Sequence, residues 1–143
     1  MKKLLCCLLC IVMLLALVAC EDDYASKITF PNEGGQYEYY SYGYHWSTVT
    51  VDSYEYEISE QSETEIRIDF EFECTFDYCG EDASGVSFNF YINVYDKEGV
   101  LIEDSIVNET HAEVGETVTT AHTIILDKED VKGGIVIEFS GNE

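Results

Sequence analysis

The chain has 143 residues, seven basic against 29 acidic ones, and a formal net charge of −22. That balance excludes nucleic acid as a partner, because binding phosphate needs clustered Lys and Arg. The length suits one domain with a real core. Its acid is spread along the chain rather than gathered in a tail, which describes a solvated, self-repelling surface. The sharper reading of so much acid is a cation or a cationic cell-wall component as ligand.

Met1-Lys2-Lys3 precede an apolar run from Leu4 to Ala19, and the run ends at Cys20. Two lysines ahead of a short apolar stretch have the form of a secretory signal. The run of about sixteen residues falls short of the roughly twenty that a spanning helix needs, so a short membrane anchor is the rival reading. Leu17-Val18-Ala19-Cys20 resembles the lipobox of bacterial lipoproteins: a branched apolar residue, two tolerated positions with the second small, then cysteine. The resemblance implies that residues 1–19 are cleaved and that Cys20 becomes a lipidated N-terminus. Acyl chains such as palmitate would then hold the protein at the outer face of a membrane, each buried CH₂ contributing about 0.8 kcal/mol. Cys6, Cys7 and Cys10 lie inside the apolar run. Only Cys20 stands where that run gives way to Glu21-Asp22-Asp23. Beyond it remain five basic and 29 acidic residues, a net charge of −24.

Residues 20–46 read as a tether, acidic at first and broken at Pro31-Asn32-Glu33-Gly34-Gly35. Lys27-Ile28-Thr29-Phe30 is a candidate short strand. The tether ends in Tyr37–Trp46, which holds five tyrosines and one tryptophan in ten residues. Exposed rings in a row suit sugar faces or peptide hot spots, and Tyr40, Tyr42 and Trp46 are the candidate contacts. The plainer reading makes the same segment a first strand packed on the domain.

Residues 47–143 read as the domain. Val49 and Val51 alternate with polar neighbours, then the phase slips by one at Asp52-Ser53 and Tyr54, Tyr56 and Ile58 take over the apolar face. Such a slip predicts a bulge. After a polar loop from Glu60 to Thr64, Ile66, Ile68, Phe70, Phe72, Cys74 and Phe76 mark one face of a half-buried antiparallel strand. Val86 to Val94 repeat the pattern, Asp96-Lys97-Glu98-Gly99 is a hairpin turn, and Val100–Val107 continues as a strand. A turn at Val114-Gly115-Glu116 leads to a strand over Thr117–Leu126. A charged loop from Asp127 to Gly134, with room for one helical turn, precedes a last strand over Ile135–Phe139. About seven short strands with turns every eight to twelve residues predict an all-β sandwich. The one proline, Pro31, leaves these strands free to form ladders.

Cys74 and Cys79 are the two cysteines left in the folded region, and in an exported protein such a pair is a candidate disulfide. Five extended steps cover about 16 Å, whereas bridged Cα atoms lie within about 7 Å. The bridge therefore requires the strand to end near Phe76 and turn at once, towards the turn-forming residues Gly80 to Gly85.

Ile92-Asn93-Val94-Tyr95-Asp96-Lys97-Glu98-Gly99 resembles the signature of the FxLYD-type domain, a small immunoglobulin-like β-sandwich common in bacterial envelope lipoproteins. Val114-Gly115-Glu116 stands where that family often has a Pro-Gly-Glu turn. The likeness covers about residues 47–140 and departs at Ile92, where the family has phenylalanine, and at Val114. It implies an immunoglobulin-like sandwich and brings no catalytic residues. Tyr95-Asp96 has a structural reading of its own: the carboxylate accepts backbone hydrogen bonds that pin the turn, and the ring covers a sandwich edge.

His45, His111 and His122 show no paired metal-ligand spacing, and nucleophile-elbow or phosphate-loop motifs are absent. No metal, cofactor or catalytic residue is expected. The sequence therefore reads as an extracytoplasmic, membrane-anchored lipoprotein with a non-catalytic binding or structural module of the cell envelope. Its rivals are a carbohydrate- or peptide-recognition module using residues 37–46, and an envelope hydrolase working through carboxylates. The sequence leaves open whether the membrane is inner or outer.

Overall fold

Alternation along the longest strands decides which face each one buries. In the computed structural model, which describes residues 23–80 and 87–142, strand β4 (Glu65–Cys79) buries Ile66, Ile68, Phe70, Phe72, Cys74 and Phe76. Arg67, Asp69, Glu71, Glu73 and Thr75 point from its other face. The other strands are β1 (Ile28–Thr29), β2 (Gly35–Ser41), β3 (Tyr44–Glu60), β5 (Phe88–Asp96), β6 (Leu101–Glu109), β7 (Thr117–Asp127) and β8 (Ile135–Ser140). One short helix, α1 (Lys128–Gly133), joins β7 to β8. The apolar segment and Cys20 lie outside the described residues.

The strands form two four-stranded sheets, ordered β1-β8-β5-β6 and β2-β3-β4-β7. Among the described residues these strands pair antiparallel except for the two-residue parallel pairing of β1 with β8, and an isolated parallel bridge joins Tyr39 to Asn142. β4 passes to β5 in the opposite sheet, and β7 passes back to β8, so β4 neighbours β7 and β5 neighbours β8. This is the Greek-key linkage of an immunoglobulin-like sandwich. The fold is an all-β sandwich, with eight strands among the described residues.

The core is aromatic. Phe139 of β8 lies edge-on to Phe72 (5.3 Å between ring centroids), Tyr54 (4.9 Å) and Phe70 (6.2 Å). Edge-to-face geometry is the one aromatic quadrupoles favour. Phe30 closes the side of the sandwich, 4.9 Å from Tyr56 and 6.3 Å from Phe139.

The fold begins well before residue 47. Tyr24 and Tyr37 are buried. A 3-10 turn at Ala25–Lys27 packs on α1, and Gly35–Ser41 is an integral strand. Residues 24–46 are therefore part of the domain rather than a tether, and residues 20–22 lie outside the described residues. The hairpin at 96–100 forms as expected: Asp96 Oδ1 accepts from the Val100 amide at 2.8 Å, and Gly99 takes φ 80°.

The expected bulge sits at Asp52, between the pairs Val51↔Cys74 and Ser53↔Glu73. A second slip, unforeseen, falls at Asp77, where Phe76 and Tyr78 face the consecutive residues Val49 and Thr48. Strict alternation would place Tyr78 inside with Phe76; the bulge turns it outward. β4 runs through Cys79 without turning at Phe76, so the disulfide between Cys74 and Cys79 is not made. Burial pushes the Cys74 thiol up to about 12.

Candidate binding face

The outer face of the β2-β3-β4-β7 sheet carries two chemically distinct zones. At the end where β2 turns into β3, neighbouring strands bring Tyr40, His45 and Tyr78 side by side. The His45 ring stacks on Tyr40 at 5.0 Å and on Tyr78 at 4.6 Å, both nearly parallel. Adjacent strands lie about 4.8 Å apart, so rings standing upright on one face stack at that spacing. Below them His45 Nε2 meets Thr48 Oγ1 at 2.8 Å, and the Tyr40 hydroxyl donates to Glu38 at 2.8 Å.

At the hairpin apex, Tyr42 (φ 52°) and Gly43 (φ 80°) are both left-handed. Two-residue hairpins need that backbone, and asparagine and glycine supply it at least cost. Tyr42 is nevertheless a tyrosine, and 98% exposed, with Tyr44 beside it at 64%. A bulky ring held in a costly conformation and buried against nothing contributes little to stability. Strain of this kind gathers at functional sites.

Of the three ring residues singled out by sequence, Tyr40 joins the stack and Tyr42 crowns the turn. Trp46 occupies the bulge between the pairs Tyr39↔Ser47 and Tyr40↔His45, with its carbonyl accepting from the Gly80 amide at 2.8 Å. His45 and Tyr78 were missed as partners. Tyr78 lies 38 positions from Tyr40, and only the Asp77 bulge brings it to the outer face.

Further along, the face is acidic. Asp77 accepts from Thr50 (2.6 Å) and Gln36 (3.2 Å), and Asp52 accepts from Thr75 (2.6 Å). Next come two directly opposed like-charge pairs, Glu55↔Glu71 and Glu57↔Asp69. Arg67 Nε holds Asp69 at 2.7 Å and Thr123 donates to it at 2.5 Å, which lowers the Asp69 pKa, the Arg67 hydrogen bond being the larger cause. No group of three or more His, Cys, Asp or Glu is arranged to hold a metal among the described residues.

The two ends of the sandwich differ. Tyr42, the end of β4 and the turn at Gly115, whose amide donates to Phe76, lie at one end. Lying at the other are the turn at residues 61–64, α1 and the 3-10 turn that follows Tyr24. β3 connects them with 17 residues, about 50 Å of extended chain. The molecule belongs to the all-β sandwiches of immunoglobulin-like topology. Its sequence matches no protein-family model and no curated protein, so the likeness to FxLYD-type domains rests on residues 92–99 and 114–116 alone.

Proposed function

We propose that this chain is a lipid-anchored protein of the bacterial envelope, whose non-catalytic sandwich presents the aromatic hairpin away from the membrane to bind an envelope component. The observation that carries this reading is the opposition of the two ends. Three residues separate Cys20 from buried Tyr24, four steps that span at most about 14 Å of chain. With Cys20 lipidated, the α1 end faces the bilayer and Tyr42 stands on the far side. Tyr42 and Tyr44 then reach outward as exposed rings, suited to the face of a sugar or to a peptide.

A carboxylate-based envelope hydrolase is less well supported. Glu55–Glu71 and Glu57–Asp69 stand on an open sheet face, where water is not excluded from a reacting bond.

Two experiments test the reading separately. Growth with labelled palmitate should tag the wild type and leave Cys20→Ser unlabelled; equal labelling overturns the anchor. The 21–143 fragment, screened on glycan arrays and insoluble cell-wall polymer, should bind a ligand that Tyr42→Ala and Tyr44→Ala release. Binding that ignores both substitutions moves the recognition site elsewhere.

A further inference from the structure

Among the described residues β7 is paired on one side only, with β4. The Phe76 amide donates to Glu116 and its carbonyl accepts from Gly115, so even-numbered residues of β4 direct their backbone groups toward β7. Through the pairing Cys74↔Val118, even-numbered β7 residues return those bonds. The amides and carbonyls of Thr117, Thr119, Ala121, Thr123 and Ile125 therefore point to the open edge.

Natural sheets guard such edges with charge, proline or a bulge. β6, the other edge on this side, carries Glu103, Asp104 and Glu109. β7 carries none of these devices: Thr117 to Leu126 is ten residues without charge, proline or glycine, in a chain of net charge −22. Its pairing with β4 is regular throughout.

What lies next to that edge selects the occupant. The outward side chains of β7 are small at Thr119, Ala121 and Thr123, and exposed. Immediately behind them stand Glu71, Asp69 and, one strand further, Glu55 and Glu57. Only Asp69 of these four has a cation, Arg67. Among the described residues Glu55, Glu57 and Glu71 have no ion pair. Like charges directly opposite on neighbouring strands repel. A strand added beside β7 would lie about 10 Å from β4, a gap that a Lys or Arg side chain spans over Ala121.

We propose that β7 accepts an additional strand: an extended segment of a partner protein, carrying Lys or Arg at alternate positions, that pairs with the Thr117–Ile125 edge, places a cation on Glu71 and sets the others in the field of Glu55 and Glu57. Ladder hydrogen bonds supply affinity and the carboxylates supply selectivity and register. This site is independent of the aromatic hairpin and of lipidation.

The test uses the full chain in detergent and a ten-residue peptide alternating valine and lysine. Fluorescence anisotropy should show saturable binding that weakens steeply between 50 and 300 mM salt. A peptide with glutamate for lysine should not bind. Ala121→Pro removes an amide directed at the open edge and none from the β4 ladder, and should weaken binding at least tenfold. Glu55→Gln with Glu71→Gln should weaken it about fivefold and flatten the salt dependence. Should the proline variant misfold, the same peptide N-methylated at alternate amides supplies the control on the unaltered protein. Equal binding of the methylated peptide, or indifference to Ala121→Pro, would reduce the interaction to diffuse charge attraction and overturn the proposal. A dimer of the chain that Ala121→Pro dissociates, seen by sedimentation without peptide, would overturn it in favour of self-pairing.

Discussion

Ser105 Oγ and His122 Nε2 stand 2.6 Å apart, joining the inner faces of β6 and β7 across the side of the sandwich where the two sheets share no ladder. Burial lowers the His122 pKa below its usual 6.5. The folded state therefore resists protonating a group that the unfolded chain protonates readily.

Stability should fall as pH drops below about 6.5, since protons then bind the unfolded chain preferentially. Above that pH both states hold neutral histidine and the term vanishes. Denaturant midpoints measured from pH 8 to pH 5 on wild type and His122→Gln check this. The carboxylates titrate alike in both proteins, so the difference between the curves isolates His122. At pH 8 the variant should lose roughly 1 kcal/mol from the Ser105 bond. The gap should narrow as acid weakens the wild type, and parallel curves would remove His122 as the source.

Tyr42→Asn should stabilise the fold. An L-residue in the left-handed region costs about 1–2 kcal/mol, which asparagine largely avoids. A ring buried against nothing has no packing to lose. Thermal unfolding should rise by a few degrees, while any ligand of the aromatic hairpin is lost.

Phe139→Ala should cost about 3–5 kcal/mol. Phe139 is 3% exposed and meets the rings of Tyr54, Phe70 and Phe72 edge-on. Its removal leaves a cavity lined by rigid rings from both sheets. Urea unfolding should show a lower midpoint at unchanged slope.

The two thiols should react at different rates. In the 21–143 fragment at pH 8, an aromatic disulfide reagent should modify half-buried Cys79 in the native state and reach Cys74 only on unfolding. Cys74 is fully buried, with its thiol pushed up to about 12, and thiolate is the reactive form. Fast modification of both thiols would contradict the packing of β4.

Much of the fold was legible in the sequence, because a period of two is the direct imprint of a sheet with one face buried. Residues 66–76 showed their strand, their buried face and their acidic face; the phase slip at Asp52 showed its bulge; Asp96 to Gly99 showed its turn. Even the short helix after Asp127 was foreshadowed by a charged stretch with no alternation. These are local properties, set by each residue's neighbours in the chain. The place of residues 24–34 was hidden, since two residues of β1 and scattered contacts such as Asn32 Nδ2 to the Phe139 carbonyl (3.2 Å) bind that segment. The outward place of Tyr78 was hidden as well, because the bulge at Asp77 depends on register against β3, which no local pattern encodes.

By itself, the sequence determined that residues 1–20 and the remainder obey different chemistry, that the remainder is an all-β domain, and that its surface is strongly acidic. Only the tertiary structure decided that Tyr40, His45 and Tyr78 form one stack, that Tyr42 lies at the end opposite Tyr24, and that uncharged β7 is a sheet edge beside Glu71. Strand order and register arise from contacts between residues tens of positions apart. Those contacts bring side chains together in ways that alternation along a single strand does not encode.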